Sequence, residues 1–391
     1  VSKLNLFGLD RDQLRAQFAA WDEQPYRADQ VMQWIYGRGV DDFAAMTNIS
    51  KALRGKLEAV AEIRVPELVT EQGSTDGTRK WVLRLDGGNA VETVYIPEGD
   101  RELETDEQGK RYRGTLCISS QVGCALDCSF CSTAKQGLNR NMTTAEIVSQ
   151  VWFANRTLEA APLGQTNGRR AISNVVFMGM GEPLANFNEV VPAIKILLDD
   201  FGVGLSKRRV TVSTSGLVPF MDRLRSEVDV ALAVSLHAPE DGLRDELVPI
   251  NRKYSLAELM AACDRYTHGR SGRAHILYEY VMLDGVNDSM AEAKALVRLL
   301  GQRQAKVNLI PFNPFPGTVY KRSPADRIQK FGEYLNRHGV RTTVRRTRGD
   351  DIDAACGQLV GRVQSRQRQR LSEVKVRMHR ADGKNHQGAG V

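Results

Sequence analysis

Cys124-Ala-Leu-Asp-Cys128-Ser-Phe-Cys131 places three thiols within one short stretch, and what can be built around them decides the fold. Just upstream, Gly114-Thr-Leu-Cys117-Ile-Ser-Ser-Gln-Val-Gly123 reads as a short strand running into a loop. A loop can wrap such sulfurs around one soft metal centre. A closed structural zinc site takes four protein ligands, whereas a reactive centre keeps a position open. A cubane iron–sulfur cluster held by three cysteines leaves one iron for a substrate or cofactor. Cys117 as a fourth ligand gives the competing reading, a structural zinc knot.

Working outward, strands and helices alternate after residue 114. Strands are expected at Thr115–Ser119, Ile172–Met178, Arg209–Ser213, Val228–Ser235, His275–Met282 and Lys306–Pro311. Helices are expected at Thr144–Asn155, Phe187–Leu198, Val218–Leu224, Leu256–Tyr266 and Ala291–Leu300. Repeated βα units imply a parallel sheet with right-handed crossovers. About six units suggest a complete or partial barrel, whose strand C-terminal ends carry the site. Those ends hold Cys117, Gly181-Glu182-Pro183, Ser213, Ser235-Leu236-His237 and Asn313. Taken singly, Gly181 can be a turn and His237 a helix cap. Together, on successive strands converging on the cysteine loop, they favour a cofactor site.

Upstream, residues 1–75 read as a helical accessory domain. Its helices are expected at Asp10–Trp21, at Ala28–Tyr36 and, capped by Ser50, at Lys51–Ala61. Arg27, Arg38, Lys51, Arg54 and Lys56 form either a solvated basic surface or one that faces RNA. Within 76–109, Thr78–Leu85 and Ala90–Ile96 flank the turn Asp86-Gly-Gly-Asn89 as a β-hairpin, followed by a charged loop at 99–113. Glu92 should project from one face of that hairpin, most simply the wet one. The core is assigned to 110–350. Its last part, Val340–Arg348, is basic and strand-like, and a C-terminal segment, 351–391, carries Cys356 and an Arg/Gln-rich tail expected to become disordered.

The chain has 391 residues, 42% of them hydrophobic, which suffices for a large core plus an accessory piece. No apolar run reaches membrane-spanning length, and Val1–Phe7 is too short and mixed for a signal peptide. Six unevenly bunched cysteines do not resemble a secreted disulfide framework, so the protein is placed in the cytoplasm. A net charge of +7 and a pI near 9.1 favour a polyanionic partner such as RNA.

Cys124-x3-Cys128-x2-Cys131 resembles the radical S-adenosylmethionine (SAM) signature. Val91–Pro97, Ser119–Cys128, Phe177–Pro183, Val212–Gly216, Val234–Ala238 and Pro311–Pro314 are similar to the ribosomal RNA large subunit methyltransferase N family. That resemblance runs from the N-terminal helices to about residue 360. The segment between Pro97 and Cys117 is longer than the family's link, which puts local RNA contacts in doubt.

The resemblance implies a partial (β/α)6 radical-SAM barrel with an N-terminal helical domain and a β-hairpin extension. It implies one [4Fe-4S] cluster per chain on Cys124, Cys128 and Cys131, with two SAM molecules used per turnover. SAM contacts would fall on Gly181, Glu182, Ser213, Ser235, Leu236, His237 and Asn313. The substrates would be adenosine 2503 of 23S rRNA and adenosine 37 of certain tRNAs, methylated at C2. Cys356 would carry the methyl group and form a covalent adduct with RNA, Glu92 would accept the C2 proton, and Cys117 would release the product through a transient disulfide. The enzyme would be a monomer fed by an electron donor such as flavodoxin. Two rivals remain at this point: methylation at C8 by the same parts, and a zinc-stabilised RNA-binding protein without catalysis.

Overall fold

The computed structural model describes residues 3–98, 114–158, 171–270, 275–301, 303–352 and 354. Cys356, the charged loop 99–113 and the Arg/Gln-rich tail lie outside the described residues.

Short polar caps set the N-terminal helices. Strand β1 (Leu4–Asn5) leads to α1 (Arg11–Ala20). Asp10 accepts from the Gln13 N–H at 2.9 Å, and the Gln13 side chain accepts from the Asp10 N–H at 3.0 Å, a reciprocal cap. Helix α2 (Pro25–Met32) starts on a proline and continues through a π-helical turn to Gly37. Helix α3 (Lys51–Val60) is capped by Ser50, as expected, and β2 (Ala61–Glu62) returns to pair with β1. Asp29 on α2 takes paired donors from Arg11 and Arg15 on α1. Of the basic residues flagged here, Arg38 lies over the Trp34 ring at 4.0 Å and Lys56 pairs with Glu23 at 3.0 Å, so both serve the domain's own packing.

Strands β3 (Glu67–Gly73), β4 (Arg79–Arg84) and β5 (Ala90–Pro97) form an antiparallel meander. The expected hairpin is present. Its extra strand β3 falls inside the stretch read as helical, because an exposed edge strand shows no apolar alternation. Strand β5 then pairs antiparallel with β6 (Gly114–Cys117), the first strand of the barrel. A small ribbon follows, β7 (Gln121–Gly123) against β8 (Leu138–Asn141), with α4 (Ser132–Lys135) between them.

From there the βα alternation holds: α5 (Thr144–Thr157), β9 (Ile172–Phe177), α6 (Phe187–Leu198), β10 (Val210–Thr214), α7 (Val218–Glu227) and β11 (Ala231–Ser235). Helices α8 (Asp241–Leu247) and α9 (Leu256–Thr267), β12 (Ile276–Met282), α10 (Met290–Leu300), β13 (Ala305–Pro311), α11 (Ala325–Arg337) and β14 (Arg341–Val344) complete it. Strands β6, β9, β10, β11, β12, β13 and β14 are successive parallel neighbours. With the meander they make one 10-stranded sheet. The hairpin extension is thus continuous with the barrel sheet. Helix α11 was not anticipated, although Ile328, Phe331 and Leu335 bury at helical spacing.

The accessory domain docks on α5. The Trp152 indole N–H donates to the Ile35 carbonyl at 2.9 Å, and Phe7 meets Trp152 and Tyr36 edge-on at 5.8 and 5.3 Å. Aromatic pairs in this geometry contribute about 1 kcal/mol each beyond their burial.

Candidate active site

The cysteine loop is tied at its base by the β7–β8 ribbon. Gly123 adopts φ +79°, and a Cβ there would lie 1.9 Å from the Gly137 carbonyl oxygen, so only glycine fits. The Cys124 N–H donates to that carbonyl at 3.2 Å. Further along, the Leu126 N–H donates to Cys124 Sγ at 3.4 Å, Ser129 N–H to the Leu247 carbonyl at 3.1 Å, and Ser129 Oγ meets the Tyr320 hydroxyl at 2.8 Å. Burial pushes the Cys124 thiol up to about 12, and the Cys128 thiol is raised by burial and by the neighbouring Cys131 and Cys124. One buried and two half-buried thiols on a single loop, with an N–H aimed at one sulfur, form a donor set suited to an iron–sulfur cluster. Among the described residues no group of three His, Cys, Asp or Glu is drawn close enough to hold a single metal ion. A cubane asks less, because its cysteines bind separate irons.

Gln121 joins this loop to the next strand tip. Its Oε1 accepts from the Ala125 N–H at 3.1 Å and from the Glu182 N–H at 2.9 Å. Gly181 takes φ +95°, and a Cβ there would meet the Gln121 side chain at 2.4 Å, so the glycine serves both the turn and the close approach. Glu182 is buried, its Oε1 accepting from Leu184 N–H at 3.0 Å and its Oε2 from Ser215 N–H at 2.8 Å. Burial lifts its carboxyl to about 7 against those hydrogen bonds.

Cys131, Gly181, Glu182, Ser213, Ser235, His237 and Asn313 all line one cleft over the strand tips. His237 has φ +59°, and its Nδ1 accepts from the Val281 N–H at 3.0 Å. Burial holds this imidazole neutral, at about 3, and the Phe130 ring stands edge-on to it at 4.6 Å. Asn313 Oδ1 accepts from Arg322 at 2.6 Å. Leu236 differs: its side chain joins the hydrophobic core, and its backbone N–H donates to the Glu279 carbonyl at 3.0 Å. Gln121, inside the Ser119–Cys128 string but given no role there, and Arg322, outside every motif, touch the site through their side chains.

Glu92 and Cys117 sit apart from that wall, in a buried seam. Glu92 is 4% exposed, which corrects the wet-face expectation. Its strand lies between β4 and β6, with both faces covered. Lys80, also buried, places Nζ 3.8 Å from Glu92 Oε1. The Ser119 hydroxyl donates to the Glu92 carbonyl at 2.7 Å, and Cys117 is paired opposite Val94. Beyond β14, the Gly349 N–H donates to Asp76 Oδ2 at 3.0 Å and Ala354 N–H to the Gly349 carbonyl at 2.9 Å. Ala354 lines a small cavity with Ile96, Asn313 and Arg345; the latter two also line the main cleft.

Residues 4–63 match the ribosomal RNA large subunit methyltransferase N-terminal domain, and residues 118–297 match the radical SAM superfamily. The chain is 53% identical over 382 residues to the dual-specificity RNA methyltransferase RlmN of Pseudomonas putida (strain W619), covering 98% of this chain and 96% of that one. A crystal structure of a radical SAM methyltransferase from Sphaerobacter thermophilus superposes with a TM-score of 0.80 at 43% identity, over 91% of this chain and 99% of that one. No helix among the described residues is long and apolar enough to cross a membrane. Similarity along the whole length, carried on a barrel whose strand tips surround a three-cysteine loop, means that the chain belongs to the RlmN family of dual-specificity RNA methyltransferases, radical SAM enzymes that use a [4Fe-4S] cluster and SAM.

Proposed function

We propose that this enzyme methylates C2 of adenosine 2503 in 23S rRNA and of adenosine 37 in tRNAs, in the cytoplasm, as a monomer supplied with electrons by a donor such as flavodoxin. The observation that carries the reading is the shared cleft: cysteine loop, Glu182 and the tips of β10, β11 and β13 face one space. Cys124, Cys128 and Cys131 would hold one cluster per chain. Gly181, Glu182, Ser213, Ser235, Leu236, His237 and Asn313 would hold SAM, two molecules of which are used per turnover. When bound, cluster and SAM supply the one-electron chemistry that adenine C2 requires, since that carbon lies between two ring nitrogens and is too electron-poor to act as a nucleophile.

The chain's own residues do the rest. Glu182, held by the Leu184 and Ser215 N–H groups, offers the cleft carboxyl oxygens as hydrogen-bond acceptors for an ammonium group. Cys356 acts as a thiolate, the form of cysteine able to accept a methyl group, and then links the RNA to the protein through a thioether. Glu92 takes the C2 proton. Lys80, with Nζ 3.8 Å from Glu92 Oε1, is the charged neighbour of this carboxyl in the seam. The Cys117 thiolate attacks the Cys356 sulfur, the carbon–sulfur bond breaks, the released methylene takes a proton to become the methyl group, and a Cys117–Cys356 disulfide is left, which a reductant must reopen before the next turnover.

The direct test is mass spectrometry of nuclease-digested rRNA and tRNA after reaction with the reconstituted enzyme. 2-Methyladenosine at both positions is expected. 8-Methyladenosine would replace the C2 assignment, and no methylated base with a loaded cluster would overturn it.

A further inference from the structure

Arg244, on α8, is 0% exposed, an unusual place for a guanidinium. Its Nε donates to the Leu236 carbonyl at 3.0 Å, and its Nη2 donates to the carbonyls of Ser235 at 3.0 Å and Ser215 at 2.7 Å. Its Nη1 donates to Asn251 Oδ1 at 2.8 Å. Asn251 in turn donates to Asp241 Oδ1 at 2.9 Å and Asp245 Oδ1 at 2.7 Å. The cation is therefore gripped by three carbonyls at the tips of β10 and β11 and connected through one amide to two carboxylates.

Carbonyl oxygens that converge on one point repel each other. A planar fork with five donors can satisfy several at once, whereas an ammonium offers a different and smaller set. Burial opposes the charge, bringing the guanidinium down to about 10. An apolar side chain in a purely structural position avoids that desolvation. What the arginine holds explains its presence. Ser215 sends its N–H to Glu182 at 2.8 Å and keeps its Oγ 4.0 Å from Cys128 Sγ. Ser235 lines the cleft, and Leu236 leads straight into His237 with its left-handed backbone.

We propose that Arg244 is a positioning residue for the SAM site: it fixes the tips of β10 and β11 so that Ser215, Ser235 and His237 stand in register along the cleft. This rests on the reading of the cleft as the SAM site.

The test uses cluster-loaded, full-length wild type, Arg244→Lys and Asn251→Ala, prepared anaerobically and compared first for iron and sulfide content and thermal midpoint. SAM affinity is read by equilibrium dialysis and RNA affinity by filter binding. The lysine variant should weaken SAM about tenfold or more and the alanine variant a few-fold, both with RNA affinity unchanged. SAM affinity within twofold of wild type in either folded variant overturns the proposal, as does an equal loss of SAM and RNA affinity. Failure of both variants to fold makes Arg244 a core residue and overturns it too. Loaded wild-type protein that binds no SAM would instead refute the underlying assignment of the cleft.

Discussion

The cysteine loop and the seam formed by β4, β5 and β6 both keep reactive groups out of bulk water, by different means. In the loop, backbone N–H groups meet the sulfur and carboxylate locally, from the loop itself in the case of Leu126 to Cys124 Sγ and from a strand tip in the case of Ser215 to Glu182. In the seam, Glu92 and Lys80 lie within the sheet, held by strand pairing, and face each other as buried charges. The difference teaches that the cysteine-loop end of this site is assembled from separate local contacts within the loop and at the neighbouring strand tips. The end that carries Glu92 is built into the sheet, where an unpaired charge has nowhere to go.

The largest effect should come from the residue that would join the two regions. Cys356→Ala is expected to bring methylation below detection while iron and sulfide stay at wild-type content; retained methylation would remove its role as methyl carrier. Next, Cys117→Ala should leave the link uncut, so that a covalent protein–RNA species accumulates on denaturing gels and turnover stops near one event per enzyme. Normal release of methylated RNA would show that the seam does not contribute this thiol.

A smaller effect separates the regions energetically. Lys80→Met removes the ammonium facing Glu92 and should destabilise the fold by about 3 kcal/mol, read from denaturant unfolding. A comparable loss from Ser129→Ala, in the cysteine loop, would erase the contrast; about 1 kcal/mol is expected there.

The smallest effect lies outside both regions and serves as a control. Desolvation works against the Asp29 carboxylate, but hydrogen bonds from Arg11 and Arg15 outweigh it and hold it below the usual carboxylate range. A depressed folded-state value contributes stability at neutral pH that is lost as pH falls below the ordinary aspartate range towards the folded value. Asp29→Asn should therefore narrow the stability gap to wild type as the solution is acidified, with cluster content unchanged.

Much of this contrast was legible in the chain. The cysteine spacing and the strand-tip residues are contiguous motifs, and the βα alternation placed helix Phe187–Leu198 without error. The family match also removes the non-catalytic zinc reading, which spacing alone left open. Glu92 was harder. Its strand alternates like a half-wet one, yet both faces are buried from Val91 to Tyr95 by what packs over the sheet, which no local pattern encodes. Strand β3 escaped for the opposite reason, being almost wholly exposed. Arg244 had no signal beyond being an arginine, because its partners are backbone carbonyls brought together only by the barrel.

Gly123 has a practical corollary. With its missing Cβ and the Gly137 carbonyl in contact, the two ends of the ribbon work as a buckle around the cysteine loop. Grafting the octapeptide Cys124–Cys131 alone into another scaffold would carry the sulfurs but leave the fastening behind. A transplant meant to keep its shape has to span Gln121 to Asn141, with both glycines intact.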